Sequence, residues 1–206
     1  TMKFQIEKES LLNPLQQIIG AVEKRQTMPA LSNVLLRASD NLLTLTATDL
    51  EIELVSQVSM SIDEPGDITV PARKLLDICK SLPAEAMITF SVKEQKVLVQ
   101  SGRSRFTLAS LPASDFPSLD EISSVFEFEL SQQTLHELID KTSFAMAQQD
   151  VRYYLNGLLL EVSNNLIRAV ATDGHRLSYC EKVLEAELAD IKQVIVPRKG
   201  IVIGTS

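Results

Sequence analysis

The sequence predicts an α+β fold assembled from repeated strand–helix–strand–strand–strand units, and three observations carry that expectation. Shifted by 124 residues, the chain aligns with itself: Phe4 falls on Phe128, Ile6 on Leu130, Leu11 on Leu135 and Leu15 on Ile139. The same shift sets LSNVLL (31–36) on LNGLLL (155–160) and ATD (47–49) on ATD (171–173). Apolar residues also alternate between a period of two and a period of about 3.6, the marks of half-buried strands and amphipathic helices. Finally, 45% of the 206 residues are hydrophobic and none is tryptophan, so a core of Leu, Ile and Val is available and disorder is excluded.

The elements follow in order. Unit one is expected over 1–124 and unit two over 125–206. Lys3 to Glu7 alternates as a strand. Leu11, Leu12, Leu15, Ile18, Ile19 and Val22 then form one face of a helix over 8–25, with Ser10 as its N-cap. Pro14 requires that the helix start close by, because a proline is tolerated only near the first turn. The segments 33–39, 42–48 and 52–58 read as strands, the first two joined by a tight turn at Asp40-Asn41. The grammar then restarts: 67–70 is a strand, and 71–82 is a helix with Pro71 at its first position and Pro83 just past its end. Strands over 87–92, 96–101 and 105–110 complete the unit, and the Pro/Ser/Asp-rich segment 112–123 links it to the next.

In unit two, Phe126 to Leu130 is the predicted strand and 131–148 the helix, with Ser131 as cap and Leu135, Leu138, Ile139 and Met146 inward. After a two-residue change of register, VPRK (196–199) matches VPARK (70–74) and opens another helix. The closing IVIGTS is not expected to continue it. By this count unit two is truncated and the chain is a fragment of something longer, and Thr1 reads as a cloning remnant ahead of Met2.

The stretch AVATDGHRL (169–177) poses an active-site question, since Asp173 and His175 lie close behind an apolar run. The repeat supplies the control. Asp173 aligns with Asp49, so the Thr-Asp pair belongs to the scaffold, as a turn or bulge in which Asp hydrogen-bonds the backbone. Only Gly174, His175 and Arg176 are special to unit two. A repeat-built hydrolase using Asp173 and His175 is the alternative reading, but no nucleophile with an oriented base accompanies them. Cys79 and Cys180 have no metal or redox spacing and read as reduced thiols, and neither a metal nor a cofactor is expected. There is no apolar run long enough to span a membrane.

The net charge of −7 is unevenly spread. The predicted helices 8–25, 72–82, 131–148 and 198–199 carry a net +4, leaving −11 to strands and loops. A surface lined by such helices would attract a phosphate backbone without reading its sequence. A peptide-binding β-rich scaffold without DNA is a third reading, and the charge segregation separates it from the first.

The strings MKFQIEKESLLNPLQQ, VPARKLLDICKSLP, SGRSRFTLASLPASDFP, QDVRYYLNGLLLE, ATDGHRL and VPRKG run across nearly the whole chain. Together they resemble the bacterial sliding clamps, the beta subunits of DNA polymerase III. The resemblance implies a DNA-clamp fold with antiparallel sheets outside and helices on the inner face. It implies a homodimeric ring of three-domain subunits around double-stranded DNA, the third domain being absent from these 206 residues, and a cytoplasmic processivity factor, not an enzyme. It further implies DNA polymerase III, other polymerases and the clamp loader as partners, with no membrane; a closed ring is not expected of these 206 residues alone. By position, Arg25 and Gln149 match residues that touch DNA, with Tyr153 and Tyr154 close by. Leu155, Thr172, Gly174, His175, Arg176 and Leu177 match one wall of the family's peptide-binding cleft, where Gly174 would leave room for a peptide. Lys74, Ile78, Leu82, Arg103, Arg105, Phe106 and Leu108 match one side of the dimer interface, with plain packing as the alternative for Ile78, Leu82 and Leu108.

Overall fold

Two compact units, Thr1–Glu121 and Ile122–Ser206, make up the computed structural model, which describes residues 1–22, 28–50, 52–117 and 129–204. Unit one begins with β1 (Met2–Glu7), whose burial alternates strictly: Met2, Phe4 and Ile6 point inward. Then come α1 (Lys8–Ile18), β2 (Asn33–Ser39), β3 (Leu42–Thr48), β4 (Glu53–Ser59), β5 (Ile62–Glu64), β6 (Gly66–Pro71) and α2 (Ala72–Ser81). The strands β7 (Met87–Lys93), β8 (Lys96–Ser101) and β9 (Ser104–Ala109) close the unit. Two antiparallel sheets result, ordered β5-β1-β7-β8-β9 and β4-β3-β2-β6. Their apolar faces and those of α1 and α2 enclose one core, from Phe4, Leu11 and Leu15 to Leu75, Phe90 and Val99. Phe4 and Phe90 are register partners on β1 and β7, and their rings stack 4.9 Å apart.

Local chemistry explains the turns. Asp40 and Asn41 take φ of 52° and 58°, the left-handed pair that a two-residue hairpin needs. Tertiary partners explain where expectation fails. The helix α1 starts at Lys8, not at Ser10, and Glu7 caps it without a side-chain bond. The Lys8 N–H donates to the Ala86 carbonyl at 2.8 Å, so an amide that a capping serine would not reach is satisfied from across the unit. Pro14 therefore lies inside the helix, buried, and the α-helix ends at Ile18 with a 3-10 turn over Ile19–Ala21 instead of running to 25. Pro71 sits at the N-cap of α2, one position earlier than expected. The short strand β5 has too little alternation to be read from sequence.

Unit two contains α3 (Gln132–Thr142), β10 (Gly157–Thr172), β11 (Leu177–Pro197) and α4 (Arg198–Gly204). Ser131 caps α3 as expected, accepting the Thr134 N–H at 3.1 Å. The α-helix stops at Thr142 and continues as a 3-10 turn, Ser143–Ala145, short of the expected 148. Contrary to expectation, the helix after VPRK does continue, through Gly204. The expected strand over 126–130 falls mostly outside the described residues, and Glu129 and Leu130 are not in a strand.

The pairing of β10 with β11 repeats unit one residue by residue. Residues 157–162 pair with 192–197, as 33–38 of β2 pair with 66–71 of β6; 166–172 pair with 177–183, as 42–48 of β3 pair with 53–59 of β4. Arg168 bonds Glu161 at 2.9 Å, although seven extended residues would part their Cα atoms by about 23 Å. The chain of β10 therefore doubles back between them, at Asn164, whose φ of 53° matches the 52° of Asp40. The repeat is thus a repeat of register, not merely of composition. The core of this unit is Leu138, Ile139, Met146, Leu158, Ile167 and Ala169 with their neighbours. Among the described residues no helix is long and apolar enough to cross a membrane.

Candidate functional site

The Thr-Asp turn appears twice with the same hydrogen bonds. In unit one, Thr48 Oγ1 donates to the Ile52 carbonyl (2.7 Å) and accepts from the Leu50 N–H (3.1 Å), while the Ile52 N–H donates to Asp49 Oδ1 (2.9 Å). In unit two, Thr172 Oγ1 donates to the Arg176 carbonyl (2.7 Å) and accepts from the Gly174 N–H (3.1 Å), while the Arg176 N–H donates to Asp173 Oδ1 (3.0 Å). Asp173 also accepts from the His175 N–H (2.9 Å). These backbone donors hold its carboxyl below the usual range, which keeps it an ionised acceptor in the turn. A carboxylate so occupied does not orient a histidine, and its twin in unit one has no histidine beside it. The Asp173–His175 hydrolase finds no support in this geometry.

Beside the turn lies the loop 147–156. Its ends are tied by the Ala147 N–H donating to the Leu155 carbonyl (2.9 Å), the Asp150 N–H to Asn156 Oδ1 (2.9 Å), and Asn156 Nδ2 to the Asp150 carbonyl (2.7 Å). Gln149 has φ 60°, and Tyr153 and Tyr154 are exposed with rings edge to face at 5.8 Å. Leu155 points inward and is buried. One loop thus carries three of the predicted DNA contacts and one predicted cleft residue.

Arg152 connects loop and turn, and sequence reasoning missed it. Its guanidinium forks onto Asp150 at 3.0 and 2.9 Å, and a Cβ on Gly174 would lie 3.4 Å from its Nη2. Arg152 therefore stands beside Gly174, and the glycine eases the φ of +87° that this turn adopts, a conformation Leu50 holds at φ 76° in unit one. The only signal for Arg152 in the sequence is the spacing Asp150-Val151-Arg152, which by itself has no specificity. The Arg152 guanidinium and backbone N–H pull the Asp150 carboxyl down to about 2. Because this folded-state value is depressed, the bond is intact above the ordinary carboxylate range and is lost as pH falls towards about 2. Amide resonances of Arg152 and Gly174 are accordingly expected to hold steady down to about pH 4, the unperturbed carboxylate range, and to shift below it. A shift centred at or above pH 4 would dissociate Arg152 from Asp150.

Of the other predicted cleft residues, Thr172 is committed to the turn, His175 and Arg176 are exposed, and Leu177 is 67% exposed. The predicted dimer face divides. Lys74 on α2, Arg103 in the turn before β9 and Arg105 on β9 are exposed and Phe106 on β9 is half-buried, β9 being an edge strand of its sheet. Ile78, Leu82 and Leu108 instead belong to the core, so packing accounts for them. The helix charge also needs correction: Lys8 is buried and its Nζ donates to the Leu82 carbonyl (2.8 Å), which removes it from any basic surface. Arg73, Lys74 and Lys80 do stand on the exposed face of α2. Arg25 lies outside the described residues.

The profile of the DNA polymerase III beta subunit N-terminal domain matches residues 2–120, and that of the central domain matches 129–204. The chain belongs to this family. The beta sliding clamp of Pseudomonas putida is 60% identical over 201 residues, 97% of this chain and 55% of that protein. The clamp of Escherichia coli K12 is 52% identical over 202 residues, 98% and 55% of the two chains. The crystal structure of the Pseudomonas aeruginosa beta subunit superposes with a TM-score of 0.92 at 56% identity, over 99% of this chain and 56% of that one. The same organism's clamp bound to griselimycin gives 0.93 at 57% identity, over 99% and 56%. The chain spans about half the length of the curated relatives it matches. The clamp fold expected from the resemblance is the fold of this family member, and its register repeat follows from the paired N-terminal and central domains.

Proposed function

We propose that the protein to which this chain belongs is a DNA-replication processivity factor, a ring-forming homodimeric sliding clamp. Membership of the beta subunit family across both units carries this reading. The ring encircles duplex DNA without reading its sequence and tethers the replicative polymerase, so it needs neither a catalytic centre nor a cofactor, and it works in the cytoplasm. The unit boundary is placed at 124/125, between the two matched regions. Arg25, Gln149, Tyr153 and Tyr154 face the DNA. Lys74, Arg103, Arg105 and Phe106 form the exposed part of one ring interface, backed by Ile78, Leu82 and Leu108. Leu155, Thr172, Gly174, His175, Arg176 and Leu177 form one wall of the groove that receives polymerase and clamp-loader peptides. Griselimycin is proposed to enter the same groove, on the strength of the Pseudomonas aeruginosa clamp that binds it.

Arg25→Ala tests the DNA side. In the full-length ring it is expected to weaken non-specific duplex binding and to lower the salt-dependence slope by about one, as the loss of one phosphate contact would. Binding titrations over a range of salt concentrations decide it. An unchanged slope removes Arg25 from the DNA face.

A further inference from the structure

Leu177 opens β11, and the residues on both sides of it are tied to the same helix end. The Ser178 hydroxyl donates to the Lys141 carbonyl at 2.6 Å, and Arg176 Nη2 donates to the Phe144 carbonyl at 2.8 Å. These carbonyls belong to the last turn of α3 and its 3-10 extension, where a helix leaves acceptors without partners of its own. Side chains alternate along a strand, so binding Ser178 towards α3 turns Leu177 the other way. Its 67% exposure records that direction.

Arg176 is held in two more ways. Its Nε donates to Asp173 Oδ2 at 3.1 Å, and its guanidinium lies 5.6 Å from the centroid of the Phe144 ring. Phe144 is itself 59% exposed, which leaves its ring face accessible to the guanidinium. A planar fork meets a carboxylate, a carbonyl and a ring in one fixed orientation, which the compact, rotatable ammonium of a lysine does not reproduce. Those partners fix the plane of the guanidinium against the end of α3.

We propose that Arg176 is a positioning residue with Phe144 and Asp173 as its anchors: it bolts the Gly174–Leu177 segment to the end of α3 and so sets the groove wall. The inference rests on the reading of this groove as the peptide site. It assigns Phe144 to the binding machinery.

The test uses the full-length protein carrying Arg176→Lys, Phe144→Leu, both together, or Leu177→Ala, with griselimycin as the probe. Amide hydrogen exchange is measured without ligand, and affinity by calorimetry. In Arg176→Lys, exchange over Gly174–Leu177 is expected to quicken about tenfold and affinity to fall about tenfold, while the double variant is no worse than Arg176→Lys alone because both remove one brace. Phe144→Leu is a mild substitution on an exposed ring, and it gives the same direction of change with little risk to folding. Lowered affinity with unchanged exchange would mean that Arg176 holds the ligand directly. Quickened exchange with unchanged affinity, or additive effects in the double variant, would equally overturn the proposal. Leu177→Ala reads the groove itself: if it leaves affinity intact, the groove reading fails, and the exchange data still report whether the brace exists.

Discussion

On the proposed groove reading, Gly174→Leu in the full-length protein is expected to weaken a polymerase-tail peptide by about 1–3 kcal/mol, roughly fivefold to 150-fold, while the fold survives. The survival follows from unit one. Leu50 occupies the equivalent turn position at φ 76°, with the same Thr and Asp bonds around it, so this turn accepts a leucine at the cost of local strain. The loss of binding follows from unit two. A side chain at 174 begins 3.4 Å from the Arg152 guanidinium and must either push it off or enter the groove. Calorimetry with the peptide gives the affinity, and thermal melting checks the fold. Wild-type affinity in this variant would take Gly174 out of the groove.

Phe90→Ala is expected to destabilise unit one by about 3–5 kcal/mol, the range for deleting a buried phenylalanine. Phe90 is fully buried at the middle of β7, the strand between β1 and β8, and its ring stacks on Phe4 at an interplanar angle of 8°. The loss removes apolar burial and an aromatic pair together and leaves a cavity between two sheets and two helices. A domain of this size is stable by only about 5–15 kcal/mol, so the change takes a large share of the total. Chemical denaturation should show a lower midpoint with the slope unchanged. A loss below about 1 kcal/mol would mean that the core closes over the gap or that the stack is peripheral.

Much of the fold was legible because it is local. The turn at Asp40-Asn41, the cap at Ser131 and the strands 33–39 and 42–48 depend on residues within a few positions of one another, and all stand where they were expected. The comparison of the two units was the most informative local signal. It identifies the Thr-Asp pair as scaffold from sequence alone, and the matched hydrogen bonds at 48–52 and 172–176 give the physical content of that identity.

What the sequence by itself determined, then, is the repeat, the alternation of strands and helices, and the scaffold role of the Thr-Asp turn. Those conclusions rest on periodicity and on short-range backbone bonding, which neighbouring residues dictate. Only the tertiary structure decided where α1 begins, because the partner of the Lys8 N–H is Ala86, and only it buried the Lys8 charge against Leu82. It also assigned Ile78, Leu82 and Leu108 to the core, placed Arg152 against Gly174, and brought Phe144 over Arg176. The physical reason is the same in each case. A charge or an aromatic ring tens of residues away in sequence enters the balance only after the chain has folded, and nothing in the periodicity of either segment announces it.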